Sequence, residues 1–303
     1  MRLLPHETDQ RFLVFAGTGT DLIFNRGIAL PGFSSLPLVE DPKFHPVLKA
    51  QMQDLIDLAR SEGLGCIIDT ATWMANRDRA APLGKTPEDL VQINRTAVAM
   101  MRELRDASAQ DVLLALCLGP ARDPYTTEPA LSVEAGHSYH RTQIESIRDM
   151  GVDLVHAYTF NHSTEAAGAA LAAQDCGLPV VVSLVVETDG RLNNGQPLDA
   201  AIEEIDALSG GAAAYFMVNC AHPDHFSEAL SGNPRLKGII VNASRCSHAE
   251  LDEATELDDG DPEELGAEVA RLVKTYPALS VLGGCCGTDM RHLRAMANSI
   301  RNG

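Results

Sequence analysis

The sequence predicts an α/β fold, a single closed (β/α)8 barrel of the TIM type, from three observations. Eight short apolar segments alternate along the chain with segments of helical character. The short segments are almost continuously apolar, which is typical of parallel strands covered on both faces. The length of 303 residues is ordinary for one such barrel. We therefore predict one domain over residues 1–303.

The predicted strands also indicate where a functional site would form. The loops that follow the strands of such a barrel gather at one face, where active sites lie. A catalytic cluster should therefore come from residues directly after the strands. These are predicted at residues 12–15, 65–68, 112–116, 152–157, 179–186, 213–218, 238–241 and 279–282.

Helix boundary signals support the segments between the strands. Thr86-Pro87-Glu88-Asp89 combines a capping residue, a proline in the first turn and acids that match the helix dipole, and 261–264 repeats the pattern. The proline- and glycine-rich residues 25–45 are predicted as a long loop after the first strand, and the acidic residues 250–264 as one after the seventh. Helices are predicted at residues 46–62, 86–106, 137–150, 163–175, 198–208, 262–275 and 289–300.

Composition narrows the classes of partner. A formal net charge of -18 opposes binding to nucleic acid or to an anionic membrane and favours a cationic or neutral small molecule. The chain begins without an apolar signal core and has no apolar run long enough for a membrane span, which predicts a cytoplasmic protein. Its 7 cysteines are scattered, so most are expected to be reduced. Either a monomer or a homo-oligomer is compatible with the sequence.

Two adjacent cysteines, Cys285 and Cys286, lie between glycines after the eighth predicted strand. Neighbouring strand side chains point to opposite faces, so both thiols can reach one ion only where the backbone bends, which glycine permits. Cys220 follows the sixth predicted strand, on the same face. Three thiolates with an open fourth position match a catalytic zinc site. We predict that Cys220, Cys285 and Cys286 bind Zn2+ and act in catalysis through it.

Other interpretations of these residues stay open at this point. Cys220 by itself could be a buried apolar residue, and the adjacent pair could form a redox disulfide. Cys246 follows the seventh predicted strand and is taken as a bystander. His222 and His225 lie close to Cys220 in the chain and are weaker candidates for metal ligands.

The segment Gly283-Gly284-Cys285-Cys286-Gly287-Thr288, together with Val218-Asn219-Cys220, resembles the zinc signature of the homocysteine S-methyltransferase family. The likeness covers most of the chain. Supporting segments follow the first, second, third and fifth predicted strands, at residues 17–22, 69–73, 118–120 and 182–195.

The resemblance implies a barrel in which zinc on these three cysteines activates the thiol of homocysteine for attack on a methyl donor. It also implies a set of substrate contacts near the carboxyl ends of the strands. The candidate substrate-binding residues are Gly17, Asp69, Thr70, Trp73, Tyr158 and Asn219.

The sequence also departs from the family pattern. Phe15 begins the stretch where the family has an acidic turn, Tyr158 stands where a glutamate is usual after the fourth strand, and Ala71 replaces an asparagine. The first two changes remove negative charge where an ammonium would bind, and a buried ammonium without a charged partner is costly. Either Asp69 or Glu187 compensates, or the acceptor differs.

The predicted function is a zinc-dependent S-methyltransferase that moves a methyl group from a sulfonium or betaine-type donor to a thiol, with homocysteine giving methionine as the leading assignment. S-Methylmethionine, S-adenosylmethionine, betaine and dimethylsulfoniopropionate are compatible donors. Trp73, Tyr158 and Phe33 are candidates for an aromatic lining that would favour such cations. The alternatives are the same chemistry on another thiol, and a non-catalytic zinc-binding or redox-sensing barrel.

Overall fold

The structure, a computed structural model, describes residues 2–108, 111–125 and 129–302. Its strands are β1 Phe12–Phe15, β2 Gly65–Asp69, β3 Val112–Leu118, β4 Leu154–Phe160, β5 Val180–Val185, β6 Ala213–Ala221, β7 Leu236–Val241 and β8 Val281–Gly284. Neighbouring strands pair in parallel and in chain order, and β1 also pairs with β8. The predicted closed (β/α)8 barrel is therefore confirmed.

A helix follows each strand before the next strand begins. The helices are α1 His45–Glu62, α2 Pro87–Ala107, α3 Val133–Glu145, α4 Ser163–Asp175, α5 Leu198–Ser209, α6 Pro223–Phe226, α7 Pro262–Thr275 and α8 Met290–Asn302. The segment predicted as a long loop before α1 also contains a short helix, Leu36–Glu40, and the acidic segment before α7 overlaps another, His248–Glu253.

Side-chain caps explain where several helices begin. Thr86 accepts a hydrogen bond from the backbone N–H of Asp89, whose carboxylate accepts one from the N–H of Thr86, and this capping box starts α2. The carboxylate of Asp261 caps α7. The prediction of 137–150 for α3 was wrong at both ends. Ser132 caps the helix at Val133, and residues 146–150 form turns.

The strands separate two apolar cores. Along β3, Leu113 and Ala115 pack with residues of other strands inside the barrel, whereas Leu114 and Leu116 pack with apolar residues of the helices. This alternation follows from the two-residue period of a strand. Tyr158, Cys220 and Cys285 belong to the inner core, which places them in the barrel lumen.

Five strands, β2, β3, β4, β6 and β8, run past their predicted ends, and the longest extensions, in β4 and β6, correct the position of one predicted ligand. β4 continues to Phe160 and β6 to Ala221. Cys220 therefore lies inside β6 and not in the loop after it. A polar residue interrupts each apolar run, Thr159 in β4 and Asn219 in β6, so the apolar pattern stops before the backbone pairing does.

Among the described residues, no helix has the length and apolar character that a transmembrane span requires.

Candidate metal centre and active site

Three thiols meet at the end of the barrel lumen. The Sγ atoms of Cys220 and Cys286 are 3.7 Å apart, and all three Sγ atoms, including that of Cys285, lie within 4.8 Å of one another. Cys220 and Cys285 are buried and Cys286 is partly exposed. The backbone N–H of Cys285 donates to the carbonyl oxygen of Val241 at 2.7 Å, which ties the cysteine turn to the end of β7. This spacing suits one metal ion with room for a further ligand.

The backbone of Cys220 is unusual for a strand residue. Its φ is 59°, and the pairing of β6 with β7 shifts register between Asn219 and Ala221. Thr159 in β4 has a φ of 65° beside a similar irregularity. Positive φ at non-glycine residues is strained and recurs at functional sites. The bulge therefore re-aims the Cys220 side chain toward the other two thiols.

The side chain of Asn219 joins these two irregular strand ends. Its Oδ1 accepts hydrogen bonds from the backbone N–H of Thr159 at 3.0 Å and from the hydroxyl of Ser183 at 2.7 Å. Its Nδ2 donates to the Thr159 hydroxyl at 3.1 Å. Asn219, predicted to bind substrate, thus also holds β4, β5 and β6 together next to Cys220.

Glycines let the chain approach the cysteine turn closely. A Cβ atom on Gly17 would lie 2.5 Å from the carbonyl oxygen of Cys285, so a side chain does not fit there. Gly287, directly after the cysteine pair, has a φ of 79°, which other residues rarely adopt. Its N–H donates to the hydroxyl of Thr20 at 3.1 Å. These contacts fix the bend that brings Cys285 and Cys286 to one point.

The three thiols shift one another's pKa values in opposite directions. Hydrogen bonds from Cys285 and Cys286 hold the pKa of Cys220 well below its ordinary value. The same contacts, with burial, raise the pKa of Cys285 and of Cys286. Three adjacent thiolates need a cation, and soft thiolate ligands suit zinc. This donor set therefore fits the predicted metal.

Two residues that the sequence did not single out surround Cys220. The phenol oxygen of Tyr125 lies 3.0 Å from the Cys220 Sγ, and the Nε2 of His248 donates to the Cys220 carbonyl oxygen at 2.6 Å. Their rings stack with centroids 4.4 Å apart. Burial lowers the pKa of His248, but the contacts with Cys220 and the charge of Glu187 outweigh it and bring the pKa to about 9.

Neither residue had a clear sequence signal. Tyr125 and His248 lie in the loops after β3 and β7, on the face where the site was expected, but several residues beyond the strand ends. A search restricted to residues directly after strands does not reach them.

A cavity of about 570 Å³ opens over the three thiols. Five of the six predicted substrate-binding residues line it, whereas Gly17 lies against the Cys285 carbonyl and is not among the lining residues. The five lining residues are Asp69, Thr70, Trp73, Tyr158 and Asn219.

The carboxylate of Asp69 is held from two sides at the cavity wall. Its Oδ1 bonds the Nδ1 of His156 at 2.8 Å, and its Oδ2 accepts from the phenol of Tyr158 at 3.2 Å. Tyr158 lies inside β4, not after it as predicted, and points into the lumen. Burial first, and then the charge of Asp69, raise the pKa of this phenol, which keeps it a donor. The tyrosine that replaces the family's acid thus positions another acid.

The hydroxyl of Thr70 is occupied within the protein. It accepts from the backbone N–H of Cys117 at 2.9 Å and bonds the Thr72 hydroxyl at 2.7 Å. Thr70 therefore links β2 to β3 beneath the cavity.

The three candidates for an aromatic lining, Trp73, Tyr158 and Phe33, all line the cavity but are not equally accessible. The guanidinium carbon of Arg79 lies 4.9 Å from the ring centroid of Trp73, so a positive charge already covers this ring. Phe33 lines the cavity, is 42% exposed, and has a φ of 59°. Phe33 is therefore the more accessible aromatic surface for a cationic donor.

The remaining candidates lie apart from the thiols. Cys246 is exposed and does not line the cavity. His222 belongs to a separate cluster with Asp224 and Glu268, and the Nε2 of His225 bonds the carbonyl oxygen of Arg245. Glu187 lies 3.5 Å from His248 and does not line the cavity.

Comparison with known proteins places this site in a family. Residues 48–300 match the family profile described as Homocysteine S-methyltransferase. Betaine–homocysteine S-methyltransferase 1 of Rattus norvegicus is 23% identical over 263 residues, covering 77% of this chain and 60% of that protein. The Xenopus laevis protein of the same name is 24% identical over 255 residues, covering 77% and 61%. The chain thus spans about 60% of the length of these relatives.

Solved structures support the same fold. The metallated form of the homocysteine methyltransferase MmuM from Escherichia coli superposes with a TM-score of 0.71 at 21% identity, covering 95% of this chain and 96% of that one. The oxidized form gives 0.73 at 22% identity and 98% coverage of both chains. Because the profile match spans well over half of the sequence, the chain belongs to the homocysteine S-methyltransferase family.

Proposed function

We propose that this protein is a zinc-dependent S-methyltransferase that moves a methyl group from a sulfonium or betaine-type donor to the thiol of homocysteine, giving methionine. The observation that carries the proposal is the meeting of three thiols within 4.8 Å at the cavity. The family membership and the names of the relatives, which act on homocysteine, support the same acceptor.

Cys220, Cys285 and Cys286 would hold the zinc. Bound zinc lowers the pKa of a thiol that takes its open position and leaves it nucleophilic at neutral pH. The chain's own residues supply the rest of the site. The bulge at Cys220 aims its Sγ at the cavity, and His248 anchors the Cys220 carbonyl oxygen. The Tyr125 phenol lies beside the Cys220 thiol at the cavity wall.

Asp69 would bind the amino group of the acceptor. Its carboxylate lines the cavity and is 8% exposed, and Tyr158 and His156 hold it in place. A carboxylate held by two neighbours is preorganised to receive an ammonium. Asp69 would thus take the role of the acids that the family has at the positions of Phe15 and Tyr158.

The cationic donor would enter through the acid-rich part of the cavity. Its positive charge disappears as the methyl group leaves, so nearby carboxylates hold the donor more strongly than the neutral product. Phe33 offers an exposed aromatic face to the onium group. The acids that line the cavity are Asp69, Asp123, Asp252, Glu256 and Asp258.

Two alternatives have specific support. Phe15 and Tyr158, in place of the acids, favour a different thiol acceptor that lacks an amino group. The separation of 3.7 Å between the Cys220 and Cys286 Sγ atoms favours a redox-sensing barrel in which these thiols form a disulfide reversibly.

We also propose a cellular compartment and a class of binding partner. A thiolate metal centre suits a reducing compartment, and none of the cysteines of the described residues is in a disulfide, which supports a cytoplasmic location. The net charge of -18 supports small-molecule partners over nucleic acid or a membrane. That residues 1–303 form one domain, as a monomer or a homo-oligomer, stays a prediction.

A panel of donors tests the proposal. The reduced, zinc-loaded protein is incubated with homocysteine and S-methylmethionine, S-adenosylmethionine, betaine or dimethylsulfoniopropionate, and methionine is measured. We expect methionine with at least one donor. Intact zinc with no methionine from any donor would point to another acceptor, and a reduced protein that binds no zinc would refute methyl transfer altogether.

A further inference from the structure

Two cationic side chains oppose the acidic character of the cavity, and one of them, His248, already bonds the carbonyl oxygen of Cys220. Five carboxylates border it, whereas Arg79 is the only arginine or lysine among the described residues that line it. A ligand carboxylate entering this cavity would meet repulsion from most of the wall. Arg79 is the one fixed positive guanidinium that could receive it.

The guanidinium of Arg79 is held in a defined place. Its Nη1 donates to the carbonyl oxygen of Arg122 at 3.0 Å, its Nη2 lies 4.0 Å from the Sδ of Met74, and its carbon lies 4.9 Å from the ring centroid of Trp73. The short helix Arg77–Ala80 that carries it begins at Asn76, whose side chain accepts from the Arg79 N–H at 3.0 Å. A guanidinium fixed by stacking retains N–H donors for a bidentate partner.

Arg79 differs from the other well-packed arginines. Arg105 pairs with Asp153 at 3.0 Å and Arg235 with Asp206 at 2.8 Å. Within the described part of the chain, no carboxylate forms an ion pair with Arg79, although Asp123 lies close enough to act on its charge. Burial lowers the pKa of Arg79, and the charge of Asp123 offsets only part of this effect. An anion supplied by a ligand would offset it.

We propose that Arg79, held against Trp73, binds the carboxylate of a substrate in this cavity. The inference rests on the proposed function, because it names the part of the methyl acceptor or donor that the cavity recognises. Homocysteine and the betaine-type donors all have a carboxylate, so the bound group could belong to either. A guanidinium forms paired, charge-assisted hydrogen bonds with a carboxylate, which gives both affinity and orientation.

The protein contains its own reporter for this contact. Trp73 is the only tryptophan in the chain, so its intrinsic fluorescence reports on the ring that Arg79 covers. The zinc-loaded protein is titrated with homocysteine and with 3-aminopropanethiol, which lacks the carboxylate. The donors dimethylsulfoniopropionate and trimethylsulfonium form the second pair. In at least one of the two pairs, we expect the compound with the carboxylate to bind at least about tenfold more tightly than the compound without it.

Arg79→Met should remove that preference, while Arg79→Lys should restore part of it. Arg77→Met is the matched control, because Arg77 lies on the same short helix and stacks on Tyr139 but does not line the cavity. With active protein, Arg79→Met should raise KM for the carboxylate-bearing substrate by at least about tenfold and leave the carboxylate-free analogue unchanged. If the first pair loses its preference, the bound carboxylate belongs to the acceptor. If the second pair loses it, the carboxylate belongs to the donor.

If Arg79→Met weakens the binding of substrates with and without a carboxylate equally, the inference is wrong. It is also wrong if the Arg79→Met variant retains the preference for the carboxylate. Failure of methyl transfer is a separate result. If no methionine forms but Trp73 still reports carboxylate binding that depends on Arg79, the proposed function fails and the role of Arg79 stands.

Discussion

The described residues include two clusters of potential metal ligands, and the surroundings of the clusters differ. One consists of Cys220, Cys285 and Cys286, and the other of His222, Asp224 and Glu268. In the second cluster, Arg245 pairs with Asp224 at 2.7 Å and with Glu268 at 2.9 Å. In the first, no lysine, arginine or histidine of the described residues donates a hydrogen bond to the side chain of Cys285 or Cys286.

The difference shows that the distance between ligand atoms does not by itself define a metal site. Arg245 already supplies the positive charge that a metal would bring to Asp224 and Glu268. The Nδ1 of His222 accepts a hydrogen bond from the backbone N–H of Asp224 at 3.2 Å, so this ligand atom is also occupied. Within the described residues, Cys285 and Cys286 lack such a partner, whereas Cys220 has the imidazole of His248 beside it. We expect metal at the cysteines and a purely structural role for the second cluster.

The largest effect is expected from removing a thiol. Cys220→Ser should lower zinc affinity at least about 100-fold, because a neutral hydroxyl replaces a soft thiolate ligand. Competition with a chromophoric chelator measures the affinity. Cys246→Ser is the matched control and should bind zinc like the wild type, because Cys246 is exposed and apart from the cluster. Normal zinc affinity in Cys220→Ser would remove Cys220 from the site.

His222 should make stability depend on pH in the second cluster. Burial, followed by the charge of Arg245, lowers its pKa to about 4, so the unfolded chain binds this proton more tightly. The contribution of His222 to the free energy of unfolding is fully present above about pH 6.5. As the pH falls toward 4, the free energy of unfolding decreases by up to about 3 kcal/mol. Urea unfolding between pH 4 and 7 measures it.

The control for this prediction is His222→Asn, which retains a helix-capping side chain but has no titrating ring. Its stability should fall less than that of the wild type over the same pH range. Glu268, whose pKa burial raises, contributes in the opposite direction and is present in both proteins. Identical pH profiles would show that His222 does not have the lowered pKa.

A smaller effect is expected from Arg245→Met. The variant leaves the buried Glu268 carboxylate with weaker contacts, to His222 at 3.5 Å and to Arg271 at 3.7 Å. We expect a loss of about 1–2 kcal/mol in the free energy of unfolding, reduced by the exposure of Arg245. Zinc content at the cysteines should not change. Arg271→Met, at the exposed contact, should lower the free energy of unfolding by less than Arg245→Met does. Equal losses in the two variants would contradict this ranking.

Much of the fold could be predicted from the sequence, because short apolar runs and helix caps are local patterns. The adjacent cysteines also gave a local signal, since glycines surround them. The shape of the strand ends could not be predicted. The bulge at Cys220 depends on the pairing of β6 with β7, which no local pattern encodes.

The residues around the thiols and the cavity could not be predicted either, for a related reason. Tyr125, His248 and Arg79 reach the site from loops or a short helix whose paths depend on tertiary packing. The replacement of the family's acid by Tyr158 was visible in the sequence. Its consequence was not, because the hydrogen bond to Asp69 joins two strands far apart in the chain.

X-ray absorption at the zinc edge of the reduced, zinc-loaded protein tests the central claim most directly. We expect one zinc per chain with three sulfur neighbours at about 2.3 Å and one lighter or substrate-derived ligand. Nitrogen and oxygen neighbours alone would place the metal at a site such as the cluster of His222, Asp224 and Glu268, and the cysteine site would then be wrong.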